Sequence, residues 1–116
     1  MIIFKSPTNL KKEWNLYLKS QDEMKEIYYE DEKIEDEYFI NGVTEFATSN
    51  VYIDKDINGF LLKKTIRHEL MHVYLYDMGK NKIRYTEDEV AEIMSDAAPL
   101  ICELTHKVML QIKENK

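Results

Sequence analysis

The sequence predicts a small α+β domain in which helices pack around a short, mostly antiparallel sheet. Apolar residues recur at helical spacing in three segments, and β-branched and aromatic residues concentrate between the first two of them. The chain has 116 residues, of which 44% are hydrophobic and 33% charged, which fits one globular domain with a single core. We therefore predict one domain over residues 1–116.

The N-terminal part predicts a strand followed by a helix. "MIIFK" is apolar and β-branched at Ile2 and Ile3, as is typical of a strand. Ser6 and Pro7 have the form of an N-cap followed by proline at the first helical position. The apolar residues that follow stand three, four or seven apart: Leu10, Trp14, Tyr17, Met24 and Tyr28. This spacing predicts a helix over about residues 7–29.

The middle of the chain changes from acidic to β-rich. "EDEKIEDE" at residues 30–37 is interpreted as a solvated connector, with contact to a basic partner or nucleic-acid mimicry as the alternatives. Residues 37–57 contain short apolar runs punctuated by Asn41–Gly42 and Ser49–Asn50. We predict two or three short antiparallel strands here, and an edge strand among them could pair with an extended peptide.

Two further helices are predicted in the C-terminal half. "TIRHELMHVYLYDMG" at residues 65–79 belongs to the first of them, and Gly79 is placed to end it. Thr86 and Glu89 then form a capping-box pattern at the start of the second. Pro99 interrupts its helical pattern, so we expect a kink or a break there.

Charge and composition exclude several classes of protein. The net charge of −6 argues against non-specific nucleic-acid binding, which requires clustered Lys and Arg. The single cysteine, Cys102, excludes an internal disulfide and is expected to be buried among apolar neighbours. No apolar run is long enough for a signal peptide or a membrane helix. A cytoplasmic protein without membrane or nucleic-acid partners is expected, and its oligomeric state is left open.

The pattern "HELMH" is an H-E-x-x-H motif. On a helix, His68 and His72 lie one turn apart and can direct both imidazoles at one metal ion. Glu69 faces sideways and can act as a general base toward a water molecule that the metal activates. The alternative is a helix whose histidines are merely solvated or partly buried.

The predicted third helix offers further acidic groups. Glu89, Glu92 and Asp96 are spaced by three and four residues, so they share one helical face. Glu92 follows His72 by 20 residues, which is enough chain for the helix that carries Glu92 to fold back onto the helix that carries His72. Glu92 is therefore a candidate third ligand, and Asp96 could accept a hydrogen bond from a ligating imidazole.

"HELMH" followed by "EIMSD" resembles the gluzincin zinc metallopeptidases, the thermolysin-like group. A wider similarity over about residues 40–100 resembles small phage and mobile-element proteins of the ImmA/IrrE-like group. The resemblance implies a zincin-like fold, one catalytic Zn²⁺, His68, His72 and Glu92 as its ligands, Glu69 as general base and Asp96 as support for a histidine. It also implies that the substrate is a protein or peptide, such as a regulatory protein of a phage or mobile element.

Two other interpretations stay open. The chain could be a zinc-stabilised binding module with little or no turnover, or a metal-free acidic partner protein. The gluzincin pattern also includes side chains that stabilise the oxyanion of the reacting carbonyl. Tyr76, four residues after His72, is the best-placed tyrosine for that role, and a rim or core position is its alternative.

Overall fold

A computed structural model describes residues 1–28 and 39–115 of the chain. Within them, four strands and three helices occur in the order β1 Ile2–Lys5, β2 Glu13–Lys19, α1 Gln21–Tyr28, β3 Gly42–Glu45, β4 Asn50–Asp54, α2 Gly59–Asp77 and α3 Glu87–Glu114. The acidic stretch at residues 30–37 lies outside the described residues. The predicted α+β class is confirmed.

The four strands form one mixed sheet in the order β1-β2-β4-β3. β1 pairs antiparallel with β2, and β3 pairs antiparallel with β4, whereas β2 and β4 run parallel. Two of the three pairings are antiparallel, as the sequence predicted. In the central parallel pair Tyr17 lies opposite Tyr52, and their rings stack with centroids 5.6 Å apart.

The two faces of the sheet bury different helices. Trp14 and Ile53 lie on the face covered by α2 and α3, within a core cluster that also contains Ile66, Leu70 and Val73 of α2. These three helix side chains are fully buried, and each stabilises the fold by roughly 1.5–3 kcal/mol relative to an exposed position. The opposite face carries a smaller cluster that includes Met24 of α1 and Tyr52.

The helix predicted over residues 7–29 is wrong in its first half. Residues 13–19 form β2, in which Trp14 and Leu16 point into the main core while Tyr17 lies on the other face. That alternation has the period of two expected of a strand, and Leu10, which the helical pattern required to be buried, is 71% exposed. Only the last part of the prediction, Gln21–Tyr28, is helical.

The proline signal before that segment was also misleading. Ser6 does not cap a helix, because residues 6–12 form a bend and a turn between β1 and β2. The Ser6 and Thr8 hydroxyls instead share a hydrogen bond of 3.0 Å, and the amide of Ser6 donates to the carbonyl of Lys12. These hydrogen bonds satisfy the hydroxyl and the amide of Ser6 within the turn, whereas the predicted helix required Ser6 as its N-cap.

Helix α2 has the boundaries that the sequence predicted at its C-terminal end. Its apolar positions Leu62, Ile66 and Leu70 face the core. Gly79 adopts a φ of +67°, and its amide donates to the carbonyl of Tyr76 at 3.1 Å. Glycine reaches this left-handed conformation without the steric cost that a side chain imposes, so the chain can turn away from the helix here.

Helix α3 begins at the predicted capping box and continues without interruption to Glu114. The amide of Glu89 donates to the Thr86 hydroxyl at 3.1 Å, and the amide of Thr86 donates to the Glu89 carboxylate at 3.2 Å. Of the kink or break predicted at Pro99, the break does not occur: α3 is helical on both sides of Pro99, and Ala97 and Ile101 are buried in the core. The burial expected for Cys102 is wrong: its side chain is exposed. Neither α3 nor any other helix in residues 1–28 and 39–115 has the length and apolarity needed to cross a membrane.

The contact between α2 and β3 depends on a glycine. A Cβ at Gly42 would lie 2.8 Å from Cγ of Glu69 and 2.9 Å from Cγ2 of Thr65. Both distances are shorter than real Cβ contacts allow, so any larger residue requires the Glu69 and Thr65 side chains, or the helix that carries them, to shift.

Gly42→Ala is expected to lower the free energy of unfolding by about 1–3 kcal/mol because of this overpacking. The measurement is urea denaturation. Gly59→Ala is a useful comparison, since Gly59 has a φ of +58° and open space around it, so only backbone strain is added there. Equal stability of Gly42→Ala and the wild-type protein would contradict the close packing.

Candidate metal centre

Helix α2 places both histidines of the H-E-x-x-H motif on one side. His68 and His72 are one turn apart, and their Nε2 atoms are 3.3 Å apart. The rings are inclined at 73°, with centroids separated by 4.9 Å. His68 is exposed to solvent and His72 is half-buried.

The separation of the two Nε2 atoms fits a shared metal ion. Two nitrogens bound to tetrahedral zinc at 2.0–2.1 Å stand about 3.3–3.4 Å apart. The same separation is within hydrogen-bond distance, so in the metal-free protein one imidazole can donate from Nε2 to the other. The separation is therefore compatible with two ligands of one ion and also with a hydrogen bond between the two imidazoles.

Glu69 lies on the inner side of the same helix turn. Its side chain is 5% exposed and packs against β3, where the Thr44 hydroxyl donates to the Glu69 carboxylate at 3.4 Å. One carboxylate oxygen of Glu69 and one ring nitrogen from each histidine all lie within 4.8 Å of one another. The structure thus brings together three of the predicted site residues.

Burial changes the ionisation of this group. Removal from water raises the pKa of Glu69 to about 7, which the hydrogen bond from Thr44 only partly opposes. Burial also lowers the pKa of His72, and the nearby His68 adds to that effect. A neutral imidazole is the form that binds a metal, so the depressed pKa of His72 favours metal binding near neutral pH.

The three side chains open into a depression of about 330 Å³. Its wall also includes residues from β3 and from two loops. The complete lining is Gly42, Val43, Thr44, Phe46, His68, Glu69, His72 and Asn81. Sequence reasoning did not identify Thr44, Phe46 or Asn81 as site residues. They come from distant segments, and the only sequence signal was the edge strand predicted near Thr44.

Asn81 is held at this wall by the loop that follows α2. The Tyr85 hydroxyl accepts a hydrogen bond from the amide of Lys82 at 2.8 Å and donates to the carbonyl of Lys80. It therefore fixes the backbone on both sides of Asn81. Lys82 also pairs with Glu89, and this contact, together with the amide of Thr86, lowers the pKa of Glu89.

The structure does not bring Glu92 into the group of His68, Glu69 and His72. Glu92 lines a separate depression together with Lys80, Lys82 and Tyr85. The loop at residues 80–82 contributes Asn81 to the histidine depression and its two neighbours to the depression of Glu92.

The other two predicted residues also lie apart from the histidines. Asp96 is beside Tyr74, whose pKa is raised by burial and by the negative charge of Asp96. Asp96 and Tyr74 line a third depression, next to the turn between β1 and β2. Tyr76 lies behind Phe46, with the two rings stacked at a centroid distance of 4.6 Å.

Comparisons with protein-family models, with curated proteins and with solved structures found no match to this chain. The chemistry of the site therefore follows from its own side chains. Two imidazoles and a carboxylate can hold a divalent ion such as zinc, which accepts nitrogen and oxygen ligands.

The stability of the metal-free protein is expected to depend on pH through Glu69. Its folded pKa of about 7 is above the ordinary value of 4.5, so the folded state binds more protons between these values. The free energy of unfolding should therefore fall as pH rises from 4.5 to 7, by at most roughly 3 kcal/mol from this group. Urea denaturation with chelator across this range measures the effect.

Glu69→Gln is the control, because it keeps the shape of the side chain and removes its titration. His72 acts in the opposite direction: its lowered pKa means that stability is lost as pH falls and the ring becomes protonated. Since His72 is present in both proteins, the difference in the free energy of unfolding between the wild-type protein and Glu69→Gln isolates the contribution of Glu69. If this difference stayed constant from pH 4.5 to 7, it would contradict the raised pKa of Glu69.

Proposed function

We propose that the protein is a zinc-dependent metallopeptidase that hydrolyses peptide bonds at the His68–Glu69–His72 site. The observation that carries this proposal is the 3.3 Å separation of the two Nε2 atoms beside a buried carboxylate. The separation suits two ligands of one ion, and the carboxylate supplies a proton acceptor that does not have to bind it.

His68 and His72 would hold the zinc ion. When bound, zinc supplies Lewis acidity, which lowers the pKa of a water molecule toward 7. The positive charge would also lower the pKa of Glu69 and favour its ionised form. Glu69 could then accept a proton from water and return it to the leaving amine, acting first as a general base and then as a general acid.

Strand β3 supports a peptide as the substrate. It is at one end of the sheet order, and among the described strands it pairs only with β4. Its residues Gly42, Val43 and Thr44 line the depression, so an extended chain added along β3 would pass beside Glu69. In keeping with the resemblance to ImmA/IrrE-like proteins, we propose a regulatory protein of a phage or mobile element as this substrate.

Glu92 remains the proposed third ligand. The support for it is the "EIMSD" pattern, whereas the described geometry offers Glu69 as the carboxylate nearest to the histidines. These two assignments have different consequences. If Glu69 were the third ligand, it could not serve as a free general base, and a zinc-stabilised binding module with little turnover would be the better description.

A pair of variants tests both roles. Glu69→Gln is expected to keep bound zinc and to slow peptide cleavage by about 10²- to 10⁴-fold, because only the proton acceptor is lost. Glu92→Gln is expected to weaken zinc binding by at least about tenfold, in the range seen when groups that support a metal site are removed. The measurements are competitive zinc titration and mass spectrometry of products from a mixed peptide substrate.

Glu103→Gln is the matched control, since Glu103 is an exposed acid on the same helix as Glu92 and its ion pair within the described residues is a surface pair with Lys107. It should change neither zinc affinity nor cleavage. Undiminished cleavage by Glu69→Gln would sink the proposed mechanism. Weaker zinc binding in Glu69→Gln, with unchanged binding in Glu92→Gln, would instead favour the binding module.

A further inference from the structure

Phe46 is an aromatic side chain at the wall of the metal centre. It directly follows β3, and it lines the depression together with His68, His72 and Glu69. The ring is half-buried, because it packs against the main core while it also lines the open depression. It gives the depression an apolar surface beside the polar side chains of His68, His72 and Glu69.

The ring is held from behind by two more aromatic residues. Phe46 stacks on Tyr76 at 4.6 Å, and Tyr76 meets the edge of Trp14 at 6.2 Å. We call these three residues the aromatic row. Trp14 is fully buried and donates from Nε1 to the Asp77 carboxylate at 2.8 Å, which fixes the far end of the row.

Further contacts stiffen the row from both ends. Lys12 places its ammonium group 5.6 Å from the Tyr76 ring centroid and 5.3 Å from that of Trp14. The carbonyl of Phe46 accepts a hydrogen bond from the amide of Ser49 at 3.3 Å, which closes the turn after β3. Because these contacts hold the row in place before a ligand binds, we expect binding against it to lose little conformational entropy.

We infer that Phe46 selects peptides carrying a large apolar or aromatic side chain, an inference that rests on the proposed peptidase function. A chain extended along β3 would carry side chains past Gly42 and Thr44 and then reach the ring of Phe46. A substrate phenyl group stacked there would gain dispersion and quadrupole contacts that a methyl group cannot make. Tyr76 is a positioning residue in this arrangement, since it acts through Phe46.

Two tripeptide amides test this inference on the zinc-loaded full chain: acetyl-Gly-Phe-Gly-amide and acetyl-Gly-Ala-Gly-amide. Binding is measured from amide NMR shifts at Phe46 and its neighbours. The phenylalanyl peptide is expected to bind about 3- to 10-fold more tightly, the range that an added aromatic contact supplies. Phe46→Leu should remove this preference, while Phe60→Leu should keep it, because Phe60 is 73% exposed and lies outside the depression.

Equal affinity for the two peptides, no shifts with either, or a preference that survives Phe46→Leu would overturn the inference. The comparison of two peptides on the wild-type protein needs no variant, so it stands even if Phe46→Leu does not fold. Cleavage is followed in the same samples. A phenylalanyl preference without cleavage would contradict the proposed function alone, and cleavage without a preference would contradict the role of Phe46 alone.

Discussion

The close approach of α2 to β3 at Gly42 is the constraint on which the site depends. The strand offers no side chain there, so the helix comes near enough for Glu69 to lie against it. A carboxyl group in this position is 5% exposed and has one long hydrogen bond, from Thr44. Such burial opposes ionisation and costs stability, and groups held in this way concentrate at functional sites.

The helical period then distributes the other groups of the motif. With Glu69 fixed against the strand, His68 and His72 point toward the depression and solvent, one turn apart. The depression is closed on its other sides by the loop of Asn81 and by Phe46. One packing contact thus orients a buried carboxylate, two imidazoles that could bind a metal ion and the walls that a peptide would meet.

Local patterns accounted for the parts of the molecule that could be predicted. The H-E-x-x-H spacing, the capping box at Thr86 and the helix end at Gly79 each depend on neighbouring residues, and the structure contains all three. The strand β2 was mistaken for a helix because Trp14 and Tyr17 are three residues apart and both packed, yet they lie on opposite faces of the sheet. Sequence spacing alone does not reveal which face a side chain occupies.

The walls of the site were not predictable for a different reason. Phe46 and Asn81 reach the histidines only through tertiary contacts, and no local pattern marks them. The same limit applies to Glu92, whose spacing from His72 suits a third ligand, while the loop at residues 80–82 lies between the two depressions. The placement of a ligand from a second helix depends on how the connecting loop folds, and the motif does not encode that path.

The central claim is that one ion is held by both histidines, and X-ray absorption spectroscopy of the zinc-loaded protein tests it most directly. We predict one zinc ion per chain with nitrogen and oxygen ligands near 2.0–2.1 Å and scattering from two imidazole rings. The signal of the second ring should disappear in His72→Ala. No bound zinc, or a zinc–sulfur distance of about 2.3 Å from the exposed Cys102, would contradict the account.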